Sequence, residues 1–135
     1  MEIDLTQKEY RHMLDLVYVG NWILNSIRGT DRFGEYDLLQ EKIFAHADKF
    51  GFPELSQSFI GRVFPTRAYE VGGIHDAIAD YEDAVFFDML AEELARRDMT
   101  EEQLNPDDIA ELASRMDSYM DEFELNGITN ISLDI

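Results

Sequence analysis

The chain of 135 residues contains no cysteine, so disulfides, thiol catalysis and thiolate metal sites are excluded. Base is scarce as well: 11 Lys and Arg stand against 29 Asp and Glu, a net charge of −18. Such a chain repels nucleic acid and anionic membrane, and neither is expected as a partner. Long apolar runs are missing, so no segment is expected to span a membrane. The first residues, Met1-Glu2-Ile3-Asp4-Leu5, include no basic residue ahead of an apolar stretch, and a secretory leader is not expected. A cytoplasmic setting is the expectation that follows. There is no Gly-x-Gly-x-x-Gly, no phosphate-binding loop of the Walker type and no Gly-x-Ser-x-Gly elbow.

Apolar material is not lacking. Hydrophobic residues make up 45% and aromatic residues 12%, too much for a disordered chain. At this length roughly two-thirds of the unfolded surface can be buried, enough for a fold without metal or cross-link. With no repeat, low-complexity tract or linker, residues 1–135 are expected to form a single helical domain.

Hydrophobic spacing places the helices. Thr6-Gln7-Lys8-Glu9 has the form of a capping box, opening a helix that runs to about Arg28 before Gly29. Tyr10, Met13, Leu14, Val17, Leu24 and Ile27 share one face of it, with Gly20 placed for close approach of a neighbour. Tyr18, Val19 and Trp22 fall elsewhere, so the later turns are apolar nearly all round. A second helix is expected over 35–50, with Tyr36, Leu39, Ile43, Ala47 and Phe50 as its stripe and Gly51 ending it. Pro53 opens a short helical segment to about Ile60, and residues 61–73 read as a loop with one helical turn.

Residues 74–98 read as one long helix whose apolar face changes side. Ile74, Ile78, Tyr81 and Val85 line the first half and Phe86, Phe87, Leu90 and Leu94 the second, so different cover is needed at its two ends. Thr100-Glu101-Glu102-Gln103 repeats the capping box. Asn105-Pro106-Asp107-Asp108 then starts a last helix reaching about Leu125, with Asn126-Gly127 as its stop. Residues 2–5 and 128–133 have strand character and are expected to pair. The fold class expected is therefore all-α, an orthogonal or bundle-like arrangement of about five helices, with a minor two-stranded pairing of the terminal segments.

Three groups of residues stand out as candidate sites. Arg62, Arg67 and Tyr69, in a glycine-punctuated loop before a helix, are the residue types that bind a small anion. Asp76, Asp80 and Asp83 are neighbours on one helix face, where carboxylates can hold a hard cation or form an acidic surface. Tyr18, Trp22, Phe86, Phe87, Leu90 and Leu94 are the apolar surplus and mark an interface. Asp88 falls among apolar positions and calls for an arginine partner. His46 falls at the core-facing edge of its helix. Glu9-x-x-His12 is half of a di-iron pattern whose other half is absent, so no metal or other cofactor is expected.

The function expected is a non-enzymatic protein–protein interaction or regulatory protein, with self-association into a homodimer as the simplest cover for the apolar surplus. The charge suggests an alternative. Residues 74–135 carry 18 acids and 3 bases, a net of −15, against −3 for residues 1–73. In charge and class the chain resembles small acidic inhibitors of basic proteins, the immunity proteins and DNA mimics, which implies a basic partner. A small enzyme or ligand-binding domain built on the acidic face or on the arginine loop is the third expectation. The balance is against an enzyme, because no nucleophile, cofactor motif or metal signature supports one.

Overall fold

The computed structural model describes residues 1–105 and 109–135. The chain is mostly helical and divides into two compact units, Met1–Ile78 and Ala79–Ile135.

The first unit is built on helix α1 (Gln7–Asn25). Its start follows from the capping box. The Glu9 amide donates to Thr6 Oγ1 at 3.2 Å, and the Thr6 amide donates to the Glu9 carboxylate at 3.0 Å. The buried face of α1 is Tyr10, Leu14, Tyr18, Asn21 and Asn25. It is turned from the face expected from hydrophobicity: Tyr18 is inside, whereas Ile27 lies beyond the helix and is exposed. The reason is that polar residues complete the stripe. Gly20 is exposed with open space around it, so no backbone approaches there.

Asn25 explains how two amides can be buried. Its Nδ2 donates to Asn21 Oδ1 at 2.7 Å and to the Phe33 carbonyl at 3.1 Å, while its Oδ1 accepts from the Phe33 amide at 2.8 Å. The side chain thus acts as a backbone partner for Phe33, which precedes α2 (Gly34–Phe44) and has no side-chain cap of its own. Asn21 Nδ2 reaches α2, donating to Asp37 Oδ1 at 3.0 Å and Gln40 Oε1 at 3.2 Å. Helix α2 ends earlier than the spacing suggests. Residues 45–51 form turns, closed by Gly51 at φ +85°. Tyr36 and Leu39 are exposed, as is His46, which faces away from the core instead of lying at its edge.

Pro53–Leu55 is a 3₁₀ turn, and the segment after it is not helical. Strands β1 (Ser56–Phe59) and β2 (Arg62–Pro65) pair antiparallel with Phe59 opposite Arg62. The connection is two residues, Ile60 at φ +49° and Gly61 at φ +71°. Positive φ at both positions is what a type I′ hairpin turn requires, because its twist matches that of the strands. This hairpin is the two-stranded sheet of the structure. Residues 2–5 and 128–133 carry no strand, which corrects the expected pairing of the terminal segments. A two-residue turn closes a hairpin at little entropic cost, whereas alternation in two distant segments supplies no such closure. Leu5 instead packs against the core.

The core gathers Tyr10, Leu14, Tyr18, Phe44, Ala47, Leu55, Tyr69 and Ile78. Tyr10 stacks on Phe50 with centroids 4.1 Å apart, and Tyr69 meets Phe44 edge-on at 5.0 Å. Each large side chain removed from water in this way contributes about 1.5–3 kcal/mol. Tyr69 comes from the single turn α3 (Arg67–Tyr69), capped by Thr66. A π-helical stretch follows at Glu70–Ile74, with Gly73 at φ +117°, and leads into α4 (His75–Arg97). Ile74 and Ile78 cover the first core.

The second unit contains the rest of α4 and helix α5 (Ile109–Asn126). Thr100 and Gln103 form the expected capping box, the Thr100 amide donating to Gln103 Oε1 at 3.0 Å. The start signal at Pro106-Asp107-Asp108 lies outside the described residues. Gly127 at φ +56° ends α5. In this unit only Ala91, Ala95, Met99 and Phe123 are buried among the described residues. Phe87 packs on Phe123 at 5.4 Å between centroids. Arg97 Nε donates to Asp98 Oδ1 at 2.9 Å, and Tyr119 of α5 donates its hydroxyl to the same carboxylate. No helix among the described residues is long and apolar enough to cross a membrane.

Candidate interaction surface

Among the described residues no buried side-chain nitrogen or oxygen lacks a hydrogen-bond partner. Arg62 of β2 donates Nε to Glu41 Oε1 of α2 at 2.6 Å, which fastens the hairpin to that helix and lowers the Glu41 pKa. Tyr69 is fully buried; its hydroxyl donates to Asp15 Oδ1 at 2.9 Å and reaches the Leu14 carbonyl at 3.3 Å. Burial, and next the hydrogen bond to Asp15, push its pKa upward. Arg67 is exposed. Of the three anion-binding candidates, Arg62 is thus paired with Glu41, Arg67 is exposed and Tyr69 belongs to the core. Arg67 instead lines a cleft of about 420 Å³ with Glu70, His75 and Asp76, where two carboxylates accompany the cation.

His75 has a structural task at that cleft. Its Nε2 is hydrogen-bonded to the Tyr18 hydroxyl at 2.7 Å, and Trp22 meets its ring edge-on at 5.0 Å. Tyr18 is buried and Trp22 half-buried, so this apolar flank of α1 is covered within the first unit by a residue 57 positions away. A second cleft, about 280 Å³, runs between Tyr18, Asn21, Trp22 and Arg32. Arg32 grips Asp37 with Nε and Nη2 at 2.6 and 2.7 Å, and this pair, with Asn21, draws the Asp37 pKa down.

The candidates on α4 are distributed differently. Asp76, Asp80 and Asp83 are all exposed, and no group of three His, Asp or Glu side chains among the described residues is arranged to hold a metal ion. Phe86 is 51% exposed, whereas Phe87, Leu90 and Leu94 are half-buried. Asp88 is exposed rather than buried, and among the described residues no arginine forms an ion pair with it.

Between α4 and α5 lies an open groove of about 290 Å³. Phe87, Met120 and Phe123 supply its apolar lining, and Asp83, Asp88 and Glu124 stand around it. Residues 79–135 hold 17 acids and 3 bases, a net of −14. All three bases are engaged within the unit: Arg96 with Glu92 at 2.8 Å, Arg97 with Asp98 at 2.9 Å, and Arg115 with Glu111 at 2.6 Å. None is left for the three carboxylates of the groove. Asp83 and Asp88 were legible in the sequence as acids of a helix; that they flank Phe87 together with Met120 and Glu124 depends on how α4 and α5 face each other. No family model, curated protein or solved structure matches the chain.

Proposed function

We propose that this chain is a non-enzymatic protein–protein interaction protein, acting in the cytoplasm, whose second unit engages a basic protein. The observation that carries the reading is the second unit itself. It leaves Tyr81, Phe86, Met89 and Ile109 at its surface while its net charge of −14 has no spare base. Apolar surface in an acidic setting favours a partner that is apolar and cationic. An inhibitor of the immunity-protein or DNA-mimic kind is the version of this reading in which the basic partner is itself an enzyme or a nucleic-acid binder. Self-association would use the same apolar side chains, but it would bring two strongly acidic units together, which weakens it. An enzyme is the remaining reading, and the pairing of Arg62 with Glu41 and the burial of Tyr69 speak against its anion-binding form.

The test combines capture and mass. The full chain, used as bait in its native extract at low ionic strength, is expected to retain a basic protein that is released as salt is raised. Light scattering of the chain alone is expected to give the monomer mass of 15.7 kDa. A dimer with no retained partner would shift the reading to self-association. A monomer that retains nothing would remove the interaction reading.

A further inference from the structure

We propose that the groove between α4 and α5 receives one amphipathic helix of a protein partner, apolar on the face it buries and flanked by Lys or Arg. Two observations choose this occupant. The first is architectural. A unit whose buried side chains, among the described residues, are Ala91, Ala95, Met99 and Phe123 has a small core, and a third helix laid along the seam of α4 and α5 is the ordinary way to complete one. Phe87 and Met120 are the half-buried side chains that such a helix would finish covering.

The second observation is charge. Asp83, Asp88 and Glu124 stand at the groove, all exposed, and the arginines of the unit are committed to Glu92, Asp98 and Glu111. A cationic side chain crossing this rim would lay its methylene stem over Phe87 or Met120 and place its head among three carboxylates. The C-terminal segment of the chain is a poor occupant, since residues 128–135 contain Asp134 and no base. A second copy brings the same carboxylates to the same place.

The inference rests on the interaction reading, and its test is separate. The probe is a synthetic Leu/Lys peptide of about five helical turns with leucine on one face. It is titrated calorimetrically into the full chain. One-to-one binding that weakens with salt is expected, with the Met120 methyl resonance shifted on saturation. The triple variant D83N/D88N/E124Q is expected to bind about tenfold more weakly or worse. The charge-matched variant E101Q/E102Q/D134N, altered at exposed acids away from the groove, is expected to stay within about twofold of the parent. The proposal is overturned if both variants weaken alike, since bulk charge then explains binding. It is also overturned if a scrambled peptide of the same composition binds as well, or if the peptide does not bind. A natural partner that tolerates D83N/D88N/E124Q would remove the groove and leave the interaction reading in place.

Discussion

The two units of this chain divide its apolar material unequally. The first buries three tyrosines, Phe44, Leu14 and Ile78 in one cluster and fastens the elements around them with side-chain hydrogen bonds. The second buries two alanines, Met99 and Phe123, and leaves larger side chains at its surface. The charge is divided the other way, −4 for residues 1–78 and −14 for residues 79–135. Both units leave some large apolar side chains exposed, so the contrast is one of core and charge: a closed aromatic core with modest net charge against a small core with unopposed acid.

The sharpest way to break this comparison is truncation on each side of it. Leu14 is fully buried, and Leu14→Ala is expected to cost about 2–5 kcal/mol in urea unfolding. Phe86, half out in solvent, is expected to cost under about 1 kcal/mol as Phe86→Ala. Equal losses would mean that the second unit is as firmly packed as the first. Next in size is the polar junction. Asn25→Ala removes the partner of the Phe33 amide and one of two donors to the Phe33 carbonyl, which keeps the Tyr36 amide, and should cost about 1–3 kcal/mol because the part-buried Phe33 amide is left unpaired. If Asn25→Ala is neutral, water replaces the amide and the junction between α1 and α2 is looser than its hydrogen bonds indicate.

Smaller again is a pH effect confined to the first core. Burial pushes the Tyr10 hydroxyl from 10.0 up to about 12, while it donates to the Ile43 carbonyl at 2.7 Å. A raised folded-state pKa stabilises the fold fully below pH 10 and is lost as pH climbs from there toward 12. Tyr10→Phe should therefore cost about 1 kcal/mol at neutral pH, through the lost hydrogen bond. Its deficit should narrow above pH 10, because the variant no longer carries the titrating group. Unfolding curves of both proteins at several alkaline pH values give the answer; a deficit that stays constant would show that Tyr10 does not titrate between the two states.

What the sequence makes legible is local. Thr6 with Glu9, Thr100 with Gln103, and Gly127 are signals contained within a few residues, and each acts as its spacing implies. The single helix from His75 to Arg97 is of the same kind. Less legible is whatever depends on distant or polar partners. Asn21 and Asn25 lie on the buried stripe of α1 because Phe33, Asp37 and Gln40 meet them there, and a hydrophobicity count turns the face away from them. Trp22 looks surplus until His75 is seen against it. The candidate groove follows the same division. Phe87 is visible as excess apolar surface, but its junction with Met120 and Glu124 is set by the packing of α4 against α5. The β1–β2 hairpin escapes notice because its turn is Ile-Gly, where Asn-Gly would announce itself.

That turn also supplies a gain within the first unit. Ile60 is 84% exposed at φ +49°, a region that a β-branched side chain enters at a cost of about 1–2 kcal/mol. Asparagine tolerates it, so Ile60→Asn is expected to raise stability by about 1 kcal/mol without loss of any buried contact. Gly20→Ala should give the smallest effect, about 0.5–1 kcal/mol, since Gly20 lies inside α1 and a Cβ there meets nothing within 4 Å. Both changes stabilise only elements of the first unit. If the two units melt separately, calorimetry of either variant moves one transition and leaves the other fixed. A single transition that rises as a whole would show that the thinly cored second unit draws its stability from the first.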